Sequence, residues 1–94
     1  MCYVTVVLDF KGVKQDHFKI INTLDERMLS SGDTGVYRTY SRGDNLRLCV
    51  ELSRNSAFWD QVHSETQLTT FVNGDEFIVN YCMAREAPEF MQQN

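Results

Sequence analysis

Val4-Thr5-Val6-Val7-Leu8-Asp9-Phe10 and Leu46-Arg47-Leu48-Cys49-Val50-Glu51-Leu52 carry one alternating apolar series twice, 42 positions apart. Val4, Val6, Leu8 and Phe10 correspond to Leu46, Leu48, Val50 and Leu52, and Asp9 corresponds to Glu51. A period of two is the mark of a strand with one face in a core. Gly32-Asp33 and Gly74-Asp75 recur at the same offset, each between a stretch with helical character and another apolar run. The chain therefore reads as one strand-helix-strand unit used twice.

The pass along the chain fills in that unit. A Val-rich strand runs from Cys2 to Phe10 and breaks at Lys11-Gly12. From Lys14 to Ser31, Phe18, Ile21, Leu24 and Met28 fall three or four apart, with Ile20 and Leu29 widening the stripe, which predicts a helix capped by Gly32. Val36 to Tyr40, a turn over Ser41 to Asn45, and Leu46 to Leu52 make a hairpin. A second helix starts near Ser56 and buries Phe58, Trp59 and Val62. It ends either at Asn73 with Gly74 as cap, matching the first helix, or near Thr66, in which case Gln67 to Val72 adds an edge strand around the Asn73-Gly74 turn. Glu76 to Ala84 is the last strand.

The resulting plan is α+β, a ferredoxin-like split β-α-β repeat: order βαββαβ, a four-stranded antiparallel sheet with two helices on one face, and one optional extra edge strand. Residues 1–84 form the domain and 85–94, with the single proline Pro88, a loose tail. At 94 residues one core suffices, burying roughly 60 to 65% of the unfolded surface. A hydrophobic fraction of 43% against 23% charged excludes disorder. Cys2, Cys49 and Cys82 are odd in number and lack Cys-x-x-Cys spacing, so a reducing cytoplasm is expected and a disulfide framework is not. No apolar run approaches the ~20 residues of a bilayer span, and no secretory signal pattern opens the chain.

Alternation also fixes the face away from the helices. Tyr3, Thr5, Val7, Asp9, Arg47, Cys49 and Glu51 fall there, Tyr37 and Thr39 join them, and the last strand adds Phe77, Val79, Tyr81 and Met83. A patch of Tyr3, Val7, Tyr37, Phe77, Val79, Tyr81 and Met83 beside Arg47 is rich in aromatics and Met, the composition of a recognition surface. It implies a protein partner or a homodimer, unless the tail with Phe90 and Met91 covers it. The net charge of −4 speaks against a nucleic-acid partner, because attraction to phosphates grows with the cations that meet them. The RNA-recognition motif shares this plan, but its basic-Gly-aromatic signature is missing from Leu46 to Leu52.

Two functional expectations follow. The first is a small acidic non-catalytic module, an inhibitor or adaptor of phage or accessory type, with no cofactor, that binds through the open sheet face. The second rests on Asp9. In Val-Leu-Asp-Phe it resembles the strand-end aspartate of the small ferredoxin-like nucleases of CRISPR adaptation and related toxin-antitoxin systems. That resemblance implies a dimer in which two Asp9 carboxylates hold a divalent ion and activate water against RNA. The plainer role for Asp9 is an ion pair with Arg47 on the neighbouring strand. His17 and His63 lie outside any spaced ligand set, Cys2 lacks the downstream motifs of amidotransferases beginning Met-Cys, and Arg42-Gly43-Asp44 is a turn sequence before it is a receptor tripeptide.

Overall fold

The computed structural model describes residues 3–14, 16–62, 79 and 81–87. The two strands of the repeat, β1 (Tyr3–Lys11) and β3 (Asn45–Ser53), lie side by side and antiparallel, with Val4 opposite Leu52 and Phe10 opposite Leu46. This register brings the two apolar series onto one face. β2 (Val36–Arg42) borders β3, β4 (Tyr81–Glu86) borders β1, and the spatial order is β2-β3-β1-β4. The architecture is thus α+β, a four-stranded antiparallel sheet with two helices.

Both helices pack on the same face. Helix α1 (His17–Ser30) contributes Ile20, Leu24 and Met28, and α2 (Ala57–Val62) contributes Phe58, to one cluster with Val4, Val6, Leu8, Phe10, Leu46, Leu48, Val50 and Leu52. Trp59, expected inside the core, is only partly buried and packs against its margin. The Asp16 carboxylate caps α1 by accepting the Phe18 N–H at 2.9 Å. At the other end Asp33 N–H bonds Met28 C=O and Gly32 N–H bonds Leu29 C=O, the paired closure that needs a left-handed residue, and Gly32 supplies it at φ 83°. The expected stripe is narrower than the sequence spacing allowed. Phe18 is 71% exposed and Leu29 54%, because each sits about 120° or more around the helix from the Ile20-Leu24-Met28 line.

Two boundaries move and one register shifts. The hairpin turn tightens to Gly43-Asp44, since Arg42 still pairs with Asn45. β4 runs to Glu86, and Ala87 N–H continues along β1 by bonding Thr5 C=O at 2.8 Å, so Arg85 to Ala87 belong to the sheet rather than to a tail. In β2 the register jumps between Val36, opposite Val50, and Arg38, opposite Cys49. Tyr37 is the extra residue, and past this bulge the parity of the strand reverses. Arg38, Tyr40 and Arg42 therefore face away from the helices, while Thr39, opposite Leu48, does not. The end of the second helix, the side chain of Val62, the Gln67 to Val72 alternative, and Phe77, Cys2, His63, Phe90 and Met91 lie outside the described residues. Among the described residues no helix is long and apolar enough to cross a membrane.

Candidate binding face of the sheet

Strand pairing arranges in rows the face that carries no helix among the described residues, the helix-free face. Arg38, Cys49, Val7 and Arg85 form one; Tyr40, Arg47, Asp9 and Met83 the next; Arg42 with Asn45 and Lys11 with Tyr81 the last, toward the hairpin. The first row is closed at its centre. Val7 and Cys49 are fully buried in a small second cluster with Ala87 and the half-buried Tyr37. The central strand β1 is consequently buried on both faces, and the expected open greasy flank does not exist there. The last two rows form instead a depression of about 440 Å³ lined by Asp9, Lys11, Tyr40, Arg42, Asn45 and Arg47.

Asp9 is the buried charge of this site. Arg47 grips it with two hydrogen bonds, Nε to Oδ1 at 2.7 Å and Nη2 to Oδ2 at 3.2 Å, and Arg85 Nη2 adds a third to Oδ2 at 3.3 Å. The fork matches the planar carboxylate, and it holds the Arg47 guanidinium above its usual pKa. Both carboxylate oxygens are engaged, which realises the ion-pair role for Asp9. A metal ion here would have to displace two guanidinium groups. Lys11 Nζ stands 5.3 Å from the Tyr81 ring centre, and Tyr81 in turn donates its hydroxyl hydrogen to Met83 Sδ at 3.2 Å. The Arg38 guanidinium lies 5.4 Å from the Tyr37 ring centre, and Tyr37 first, then Tyr40, raise its pKa.

The residues expected to bind a partner separate into groups. Arg47, Tyr81 and Met83 do share the helix-free face at its hairpin end, and Tyr3 is exposed at the far end of β1. Val7 and Tyr37 belong to the small second cluster. Val79 is a correction: it precedes β4, so strand alternation does not reach it, and it is buried in the helix-side core. The sequence reading missed Lys11, Arg38, Tyr40 and Arg42. For the three on β2 a signal existed in Gly43-Asp44: a two-residue turn forces Arg42 opposite Asn45 and hence Tyr40 opposite Arg47.

Two hydrogen-bonded hubs lie apart from this face, one buried at Asp33 and one part-exposed at His17. Asp33 Oδ1 accepts the Ser53 N–H at 2.7 Å and Oδ2 accepts the Ser56 hydroxyl at 2.6 Å, while Ser56 Oγ caps α2 by accepting the N–H groups of Phe58 and Trp59. His17 bridges Ser41 Oγ and Val13 C=O at 2.6 and 3.1 Å. Bonding the carbonyl makes Nε2 the donor. These contacts are structural. Cys49 and Cys82 are not disulfide-bonded and are buried on opposite faces of the sheet. Comparison with protein-family models, with curated proteins and with solved structures returned no match.

Proposed function

We propose that this chain is a small non-catalytic interaction module on the ferredoxin-like plan, holding an acidic macromolecular partner against the helix-free face of its sheet. The element order β1-α1-β2-β3-α2-β4, with each helix following a central strand and both packed on one side, supports the plan. Charge segregation carries the function. Lys11, Arg38, Arg42, Arg47 and Arg85, five of the chain's nine cationic residues, share this one face, in a protein whose net charge is −4. Among the described residues only Asp9 and Glu51 oppose them there.

The sign of that charge supports an acidic partner over a second copy of the chain. A two-fold dimer formed through this face would set cations against cations, which costs free energy at every pair. An acidic partner gains at each of them, and it would be steered in at low salt. Such a module works by occupancy, as an inhibitor or adaptor does.

Affinity capture from the host with Lys11→Glu/Arg42→Glu, and with Lys14→Glu/Lys19→Glu as control, tests the reading. An acidic partner should be retained by the wild type and the control, released by salt, and lost with the face variant. Capture indifferent to reversal of Lys11 and Arg42 would overturn it.

A further inference from the structure

We infer that the depression at the hairpin end of this face seats single-stranded nucleic acid, one base on Tyr40 with its phosphates on Lys11 and Arg42; the inference rests on the acidic-partner reading and names the partner. Three observations separate nucleic acid from an acidic peptide. Tyr40 is 51% exposed, stands opposite Arg47, and lies two residues from Arg42 on the same side of β2. The Tyr40 hydroxyl can donate to a carboxylate or a phosphate alike, but its ring face gives a carboxylate no stacking partner, whereas every base has a π-face to lay on it. The depression, about 440 Å³, falls within the roughly 300 to 1,000 Å³ of sites built for a ring-bearing ligand, far more than an Asp or Glu side chain fills.

Spacing is the third observation. Arg38, Tyr40 and Arg42 succeed one another on one side of β2, so neighbours are about 6.8 Å apart at the usual rise. The two cations that flank the stacking ring are thus about 13.6 Å apart, on the order of two phosphate steps of an extended single strand. Asn45, opposite Arg42, brings an amide that can donate to or accept from a base edge. The net charge of −4 does not oppose this. A Debye length of about 8 Å at physiological salt means that a strand on this face experiences the local cations and not the distant acids of α1.

The test is fluorescence anisotropy at low salt with labelled RNA and DNA of about 12 nucleotides, and with a poly-glutamate peptide of equal charge and free AMP as competitors. Oligonucleotides should bind, with a log-log salt slope of roughly −1.5 to −2 for two or three phosphate contacts. Tyr40→Ala should weaken them roughly 5- to 150-fold, the value of one stacked base, and leave poly-glutamate binding unchanged. Binding of either RNA or DNA supports the inference, and the ratio of the two reads the role of the 2′-hydroxyl. Poly-glutamate bound as tightly as the oligonucleotides, with Tyr40→Ala without effect, would overturn it while leaving the acidic-partner reading standing. AMP bound with no oligonucleotide binding would also overturn it. If no polyanion binds and Lys11→Glu/Arg42→Glu changes nothing, both readings fall.

Discussion

Asp9 and Arg47 face each other across β1 and β3 and are joined by two parallel hydrogen bonds, the shorter at 2.7 Å. Arg85 reaches the same carboxylate diagonally from β4, so one buried charge ties the three strands together on the side opposite α1 and α2. The arrangement also poises the face. Asp9 cancels part of the charge of Arg47 and Arg85, leaving Lys11 and Arg42 as the groups that look outward at the hairpin end.

Asp9→Asn separates the roles considered for this residue. The guanidinium groups are 45% and 37% exposed, so water screens them and the loss should be modest, about 1 to 2 kcal/mol by urea denaturation. The variant should bind polyanions several-fold more tightly, because Arg47 and Arg85 no longer share their charge with a carboxylate. A metal-dependent nuclease would behave in the opposite way, losing its activity with Asp9, and cleavage assays on labelled RNA would reveal it.

Asp33 offers a sharper stability test. Its carboxylate is buried and closes the end of α1 against both the end of β3 and the cap of α2. Asp33→Ala strands the Ser53 N–H and removes the anchor of Ser56, which should cost about 2 to 4 kcal/mol. Ser56→Ala should cost about 1 to 2 kcal/mol. A double-mutant cycle in urea should find the pair non-additive by more than about 0.5 kcal/mol, the signature of a shared network.

Much of this was legible. The alternation of Val4 to Phe10 and Leu46 to Leu52 needed no tertiary information, because a strand that buries one face writes its geometry into every second residue, and the core holds all eight. The bulge at Tyr37 left no such trace: one extra residue changes the facing of everything after it, and so Thr39 was expected where Tyr40 stands. The charged face escaped for a different reason. Net charge is a sum over the chain, and only strand register shows that Arg38, Arg42, Arg47, Lys11 and Arg85 meet. Val79 failed because alternation was extended beyond the first residue of β4.

Gly35 is a position where the backbone and a side chain make the same demand. Its φ is +85°, and a Cβ there would collide with Asp25 Oδ1, the atom that accepts the Val36 N–H at 2.9 Å and starts β2 in register. Gly35→Ala should therefore be destabilising by more than the ~1 kcal/mol of the left-handed conformation alone, about 2 to 3 kcal/mol. Gly43, with φ +58° and open space around it, should lose only the conformational part, about 1 kcal/mol, on replacement by Ala. Equal midpoint shifts for the two would contradict the role given to Asp25.

Phe18 and Leu24 test the orientation of α1, on which the helix-free character of the other face depends. Both belong to the apolar spacing of the sequence, yet Leu24 is 1% exposed and Phe18 71%. If the helix sits as described, Leu24→Ala opens a cavity against the sheet and costs about 2 to 5 kcal/mol, while Phe18→Ser stays within about 0.5 kcal/mol. Phe18 leads the first turn, where Asp16 caps the helix independently of the ring, so its replacement leaves the cap intact. Denaturant midpoints that moved equally for the two would require α1 to be rotated toward Phe18. Ile20, Leu24 and Met28 would then leave the core cluster they share with β1 and β3, and with it would go the argument that the sheet has one covered side and one side left to bind.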